Sequence, residues 1–298
     1  MSLPQRWVVT GATGFIGRRL AASAQDREVV SLSLSADDWR SRIASANLRD
    51  ASVFHLAGRV HALGGDEAAW VRDNVEKTAE LARAAARGGA RRFVFLITIK
   101  VSGEETHGQP FRATDPPQPS DAYARSKHEG ERALAIAASP GLEYAIVRSP
   151  LVIGPAAPAN LAALVRLADS AWPLPFGAIR NRRTFIALDD LVSLLVRCAE
   201  SPRAVGRTFL AGDPDAVSTP RLFNVVRAAL ARPARLFGMP ASALEAAASL
   251  TGQGDRMRRL TRSLEVDCRD AMETLQWAPR RPMDEALREM ARSAKEAA

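Results

Sequence analysis

The 298-residue chain is poor in cysteine, tyrosine and histidine, with two, two and four of them. Cys198 and Cys268 show no metal-ligating or redox spacing, so no metal centre is expected and a reducing, cytoplasmic setting fits. Aromatic residues make up only 6% and fall mostly in apolar runs. They do not alternate with basic residues, which argues against a nucleic-acid interface. No apolar run is long enough to span a bilayer. Residues 1–6 lead straight into a strand pattern, so no signal peptide is expected. Internal repeats and low-complexity tails are also missing.

What is present is ordinary in bulk and specific in detail. Hydrophobic residues at 47% and charged residues at 25% suit a globular chain of one large or two moderate domains. Lysine and arginine outnumber aspartate and glutamate by 41 to 33, a net charge of +8 that favours anionic partners such as nucleotides or nucleotide sugars. The abundance of alanine and arginine, as a GC-rich coding sequence would produce, accounts equally well for the excess.

The N-terminal stretch WVVTGATGFIGRRL organises the rest. Trp7 to Thr10 is a β-branched, apolar run expected to be a buried parallel strand. Gly11, Gly14 and Gly17 follow at three-residue spacing and open a helix carrying Ile16 and Leu20 on one face. Glycines in that setting permit a tight turn, close approach of backbone to a phosphate, and close helix–strand packing. The helix N-terminus then offers free N–H groups to a pyrophosphate. The pattern predicts a dinucleotide site with GxxGxxG rather than GxGxxG spacing.

Strands are expected at residues 28–34, 51–56, 92–98, 144–149, 185–188 and 208–210. Helices are expected at 36–47, 73–87, 120–138 (with Ser120 as N-cap), 160–170, 189–200, 219–231, 241–250 and 283–296. The β-α alternation predicts a doubly wound parallel α/β sheet of the Rossmann type. Residues 1–153 read as its dinucleotide-binding domain, with 184–212 returning to it. Residues 154–183 and 213–298 read as a smaller cap. The second strand lacks the acid that would bind an adenosine ribose; Ser33 and Ser35 stand there instead. With Arg18 and Arg19 nearby, that tilts the cofactor from NAD towards NADP, unless those arginines are only exposed helix charges.

Tyr123 and Lys127, four apart on one predicted helix, share a face. An ammonium beside a phenol lowers its pKa from near 10, so that it can take a proton from a sugar or alcohol hydroxyl. Thr98, at the end of the fourth strand, would present its hydroxyl to the same crevice.

These segments in order, TGATGFIG, VFHLAGRVH, FVFLITIKVSGE, YARSK, VRSPLVIGP, PLPFGAIRNRRTFIALDDLV and SLEVDCRDAMETLQWAP, resemble the extended short-chain dehydrogenase/reductases. The resemblance lies in the NAD-dependent epimerase/dehydratase branch acting on nucleotide sugars in bacterial polysaccharide synthesis. It implies that Thr98, Tyr123 and Lys127 are catalytic. It places Gly11, Gly14, Phe15, Ile16, Gly17, Arg18, Ser33, Leu56, Ala57, Gly58, Asn74 and Pro150 on the cofactor, beside Tyr123 and Lys127. It places Lys100, Asn160, Leu161 and Arg183 with Thr98 on the substrate. A homodimer through the helices at 73–87 and 120–138 is implied as well.

Ile97-Thr98 replaces the family's usual pair of serines. Ile99-Lys100 replaces the Asp-Glu of its dehydratases, which removes the acid/base pair needed for water loss. Reversible oxidation at C4 of a UDP-sugar remains, by a UDP-glucose or UDP-N-acetylglucosamine type 4-epimerase. The alternatives are a 4-ketoreductase making a UDP-6-deoxy-N-acetylhexosamine such as UDP-N-acetylquinovosamine, or a catalytically idle dinucleotide-binding protein. Arg180, Arg182 and Arg183 are candidates for diphosphate oxygens. The basic run Arg256 to Arg259 with Arg262 is expected to be a solvated or substrate-facing edge, with membrane contact only if the substrate is lipid-linked.

Overall fold

The structure is a computed structural model describing residues 6–59, 67–138, 141–156 and 158–296, with only the backbone described at 159 and 160. The apolar runs become the parallel strands β1 (Arg6–Thr10), β2 (Glu28–Ser31), β3 (Ser52–His55), β4 (Arg92–Thr98), β5 (Tyr144–Ser149) and β8 (Arg207–Leu210). They form one sheet in the order β2-β1-β3-β4-β5-β8, parallel at every pairing. The chain runs outward from β1 to β2 and returns on the other side of β1 to β3. That reversal leaves a crevice at the carboxyl ends of β1 and β3, where open parallel sheets take ligands.

Both faces of the sheet are covered, as the unbroken apolar strands require. In β4, Phe93, Phe95 and Ile97 face α2 (Trp39–Ser45), α4 (Lys77–Arg87) and α5 (Ala122–Ala137) in one apolar layer with Ile43, Leu81 and Leu134. Val94 and Leu96 face the other way, into a layer with Leu20 of α1 (Phe15–Ala22) and Leu191 and Leu195 of α7 (Leu188–Glu200). A separate cap core gathers Leu161 from α6 (Ala159–Asp169), Phe223 from α8 (Thr219–Ala229), Leu244 from α9 (Ala241–Leu250) and Met290 from α12 (Met283–Glu296).

The local expectations need five corrections. The strand at 28–34 stops at Ser31, so Ser33 lies in the loop beyond it. The helix at 73–87 begins earlier, as α3 (Glu67–Val71), and passes through a π-turn at Arg72–Glu76 before α4. Helix α5 is capped by Asp121, not Ser120: Asp121 is extended, and its Oδ1 accepts the Ala124 amide at 2.6 Å. Strand β7 (Phe185–Ala187) does not rejoin the main sheet but pairs with β6 (Leu151–Ile153). Pro150 interrupts the chain between β5 and β6, and the β5 edge is taken by β8. The short helices α10 (Gly254–Thr261) and α11 (Arg269–Leu275) were not expected. Among the described residues no helix is long and apolar enough to cross a membrane.

Candidate active site

The first loop of the crevice is built by glycines whose side chains have nowhere to go. Gly11 has φ +70°, and a Cβ there would lie 3.0 Å from the Ala57 amide nitrogen. Gly17, in the first turn of α1, packs so closely that a Cβ would sit 2.1 Å from the Gly11 carbonyl oxygen. The Gly11 carbonyl accepts the Gly14 amide at 3.0 Å, closing the turn. No side chain caps α1 at Gly14, so its first-turn N–H groups are left to the crevice. Phe15 and Ile16 are half-buried against the α7 layer, and Arg18 is exposed. This cradle fits a dinucleotide pyrophosphate.

The second loop follows β3. Leu56 and Ala57 are half-buried, and Gly58 is wedged: a Cβ there would meet Lys127 Nζ at 2.0 Å and Asn74 Oδ1 at 3.0 Å. Asn74 sits in the π-turn, buried, where its Oδ1 accepts the Arg59 amide at 2.9 Å and its Nδ2 donates to Ser126 Oγ at 2.9 Å. Ser126 in turn donates to the Tyr123 carbonyl at 2.8 Å. The extra residue of a π-turn frees the Asn74 region to bridge the loop and α5. Pro150 is buried past β5. Ser33 Oγ and Ser35 Oγ share a hydrogen bond of 3.0 Å. Residues Val60 and His61 of the VFHLAGRVH segment, and the side chain of Asn160, lie outside the described residues. The Leu161 side chain is buried in the cap core.

The structure brings Thr98, Tyr123 and Lys127 to one end of the sheet. Thr98 Oγ1 accepts the Lys100 amide at 3.2 Å, and the Thr98 side chain hydrogen-bonds the Tyr123 phenol. Trp70 of α3 meets the Tyr123 ring edge-on, 5.5 Å between centroids. The expectation that Lys127 lowers the phenol pKa is not met in the chain itself. Burial, then the charge of Asp121, pushes Tyr123 up to about 12, with only the Thr98 bond opposing. Burial pulls Lys127 down to about 8. Desolvation penalises both charged forms and outweighs their four-residue spacing.

Two ion-pair systems steady the helix that carries Tyr123. Lys100 Nζ bonds Asp121, the helix cap, and Glu104 at 2.8 Å. Beneath it, Arg148 grips Glu131 with two bonds of 2.8 Å and donates to Ser102 Oγ at 3.1 Å.

The cap carries the other candidate residues. The Asn181 amide nitrogen donates to the Leu260 and Arg262 carbonyls at 3.0 and 3.2 Å, which fixes the following arginines. Arg183 is half-buried and donates to the Arg262 carbonyl at 3.0 Å. Burial, then the charge of Arg259, pulls it down to about 10. Among the described residues no carboxylate pairs with Arg183 or Arg259. Arg182 is held instead by Glu265 at 2.7 Å, and Arg180 is exposed, so Arg183 alone of the three has the setting of an anion site. Arg262 is occupied by Glu245 at 2.7 Å. Sequence reasoning missed Arg259 as a neighbour of Arg183. It also missed Asp121 as the cap and His55 as the hub of a buried network; only the fold brings those positions to their partners.

A glycine cradle at a topological switch point, with a half-buried threonine and a buried tyrosine and lysine at the same end of the sheet, is a candidate site for a nicotinamide-dependent oxidoreductase of the short-chain type. Residues 7–212 match the NAD dependent epimerase/dehydratase family, and the chain belongs to it. It is 33% identical to the UDP-glucose 4-epimerase of Vibrio cholerae, over 98% of this chain and 96% of that one. It is 27% identical to a dTDP-6-deoxy-L-talose 4-dehydrogenase (NAD(P)(+)) of Kitasatospora kifunensis, over 96% and 95%. In three dimensions it resembles RMD from Pseudomonas aeruginosa complexed with NADPH (TM-score 0.78, 20% identity, 98% of this chain and 99% of that one). It likewise resembles UDP-glucuronic acid 4-epimerase from Bacillus cereus in complex with NAD (TM-score 0.76, 20% identity, 98% and 99%).

Proposed function

We propose that the chain interconverts the C4 alcohol and ketone of a UDP-linked hexose, as a UDP-glucose or UDP-N-acetylglucosamine type 4-epimerase. The observation that carries this is the hydrogen bond between half-buried Thr98 and buried Tyr123 at the same end of the sheet as the glycine cradle, together with an Arg183 that no carboxylate among the described residues neutralises. Gly11, Gly14, Gly17, Ala57 and Gly58 would hold a nicotinamide dinucleotide, which when bound supplies hydride exchange at carbon. The Tyr123 phenol takes and returns the C4 hydroxyl proton, and Thr98 passes its own hydrogen bond to the same oxygen. A positive charge brought beside the phenol would offset the burial that now holds it protonated. Lys127, wedged against Gly58, is placed to orient a ribose. Arg183, with Arg259 behind it, pairs with the diphosphate. Ile99 and Lys100 supply no acid for dehydration, and Lys100 is engaged by Asp121 and Glu104.

The test is incubation with UDP-glucose, UDP-galactose and the N-acetyl sugars, reading both C4 epimers by NMR. Absence of epimers with every sugar would refute the epimerase. A second reading, a 4-ketoreductase using NADPH, is favoured by Ser33 and exposed Arg18, which leave room for a 2′-phosphate where an acid would repel it. Mass spectrometry of cofactor released from the purified chain separates them: retained NAD supports the epimerase, a requirement for added NADPH the reductase. We also propose a homodimer through α4 and α5, whose outer faces expose Arg83, Arg87, Arg132 and Ile136. Sedimentation as a monomer at micromolar concentration would refute it.

A further inference from the structure

His55 closes β3 with its side chain fully enclosed, stacked on Phe95 at 5.0 Å and edge-on to Phe93 at 5.9 Å. Its two ring nitrogens are engaged on opposite sides. Nδ1 lies 2.7 Å from Thr10 Oγ1, and Nε2 lies 2.9 Å from Thr78 Oγ1. The direction of each bond follows from the neighbours. Thr78 spends its only hydrogen on the Asn74 carbonyl at 2.9 Å, so its oxygen accepts from His55 and Nε2 carries the ring proton. Nδ1 is then the acceptor, and Thr10 donates to it. The Thr10 oxygen is left to accept the Ala57 amide, at 3.2 Å. Every group is satisfied in one arrangement, and no second arrangement satisfies them all. A doubly protonated ring would keep Thr78 as acceptor for Nε2–H, but its Nδ1–H would face the Thr10 hydroxyl, which is the donor in this arrangement.

The line runs from the loop after β3, through the residue preceding Gly11, to Asn74. From Asn74 it continues through Ser126 to the Tyr123 carbonyl on α5. Burial, then the charge of Lys127, holds the ring far below its usual range, at about 3. The other groups packed on it, Phe93 and Phe95, are apolar.

We propose that His55 is a positioning residue: its imidazole, locked as the Nε2–H tautomer, holds the two cofactor-facing loops and the catalytic helix in one register. This rests on the reading of those loops as the dinucleotide site. The claim about the ring is checked without any ligand, by side-chain ¹H–¹⁵N correlation spectra of the full chain between about pH 5.5 and about pH 8.5. One imidazole stays uncharged with its proton on Nε2 throughout, and it is the one missing from the His55→Gln variant. A His55 ring that titrates in that window, or that carries its proton on Nδ1, overturns the proposal.

The functional half compares His55→Leu with His55→Gln by titration with NAD, NADP and UDP. Leucine removes both bonds, and dinucleotide affinity falls about tenfold or more, while UDP affinity, set by the cap, is unchanged. Glutamine, with an amide donor and a carbonyl acceptor, recovers most of the loss. A folded leucine variant that binds dinucleotide as tightly as the parent overturns the proposal. If that variant does not fold, the ring spectrum decides. A parent chain that binds no dinucleotide refutes the functional reading instead, and the spectrum still judges His55.

Discussion

The two walls of the crevice are stabilised in opposite ways. On the sheet side, buried neutral groups satisfy one another in a single directed line through Thr10, His55, Thr78, Asn74 and Ser126. On the cap side, surface arginines are held by acids, Arg182 by Glu265 and Arg262 by Glu245, while among the described residues no acid pairs with Arg183 or Arg259. Buried networks with every partner present are stiff, because each lost bond leaves a desolvated polar atom. A guanidinium without a carboxylate is free to receive a phosphate. On the proposed reading, the chemistry, which needs fixed distances, falls to the sheet wall and recognition of a charged substrate to the cap wall.

The largest effect should come from the sheet wall. Tyr123→Phe lowers turnover of a UDP-sugar by about a thousandfold while dinucleotide affinity is unchanged, as steady-state rates and calorimetry would show. Normal turnover would break the assignment. Next is Arg183→Met, which raises the KM for the sugar nucleotide by about ten- to a hundredfold with little change in kcat. If kcat falls instead, the division of labour between the walls is wrong. Gly17→Ala forces backbone apart where 2.1 Å is available, at a cost of about 1–3 kcal/mol, read as a drop in Tm and weaker dinucleotide binding.

A smaller effect appears in acid. His55 has a folded pKa of about 3 against 6.5 in a model compound, so below about pH 6.5 the unfolded chain takes a proton that the folded chain refuses. Stability is therefore lost as pH falls through that window, by about 1.4 kcal/mol per unit from this group. Lys127, at about 8 against 10.5, acts with the same sign between those values. Urea melts across pH would show a shallower acid limb in His55→Gln; equal slopes would mean that His55 is not buried neutral. Smallest is Ser33→Asp, expected to shift the ratio of NADP to NAD affinity towards NAD by several-fold through repulsion of a 2′-phosphate. An unchanged ratio would show that the loop beyond β2 does not face the ribose.

Much of the sheet wall was legible beforehand because it is local. Glycine spacing, a β-branched run and a Tyr–Lys pair four apart each carry their physical reason within a few residues. The misreadings have equally particular causes. Ser120 and Asp121 are both good caps, and only the chain's extended path at Asp121 aims its carboxylate at Ala124. The strand at 185–187 reads as apolar wherever it pairs, and its partner β6 is 34 residues earlier. The phenol's pKa was misjudged because spacing on a helix tells nothing of how deeply the pair is buried.

Sequence by itself determined the fold class and offered the glycine cradle and Thr98, Tyr123 and Lys127 as candidates, since these depend on short-range pattern and residue chemistry. Tertiary structure alone decided what surrounds the His55 ring, which arginine of three is both half-buried and, among the described residues, without an acid, and that Asn74 and Ser126 tie α5 to the loop after β3. Those outcomes depend on hydrogen bonds and charges between residues far apart in the chain, and on a desolvation that exists only once the sheet is closed on both faces.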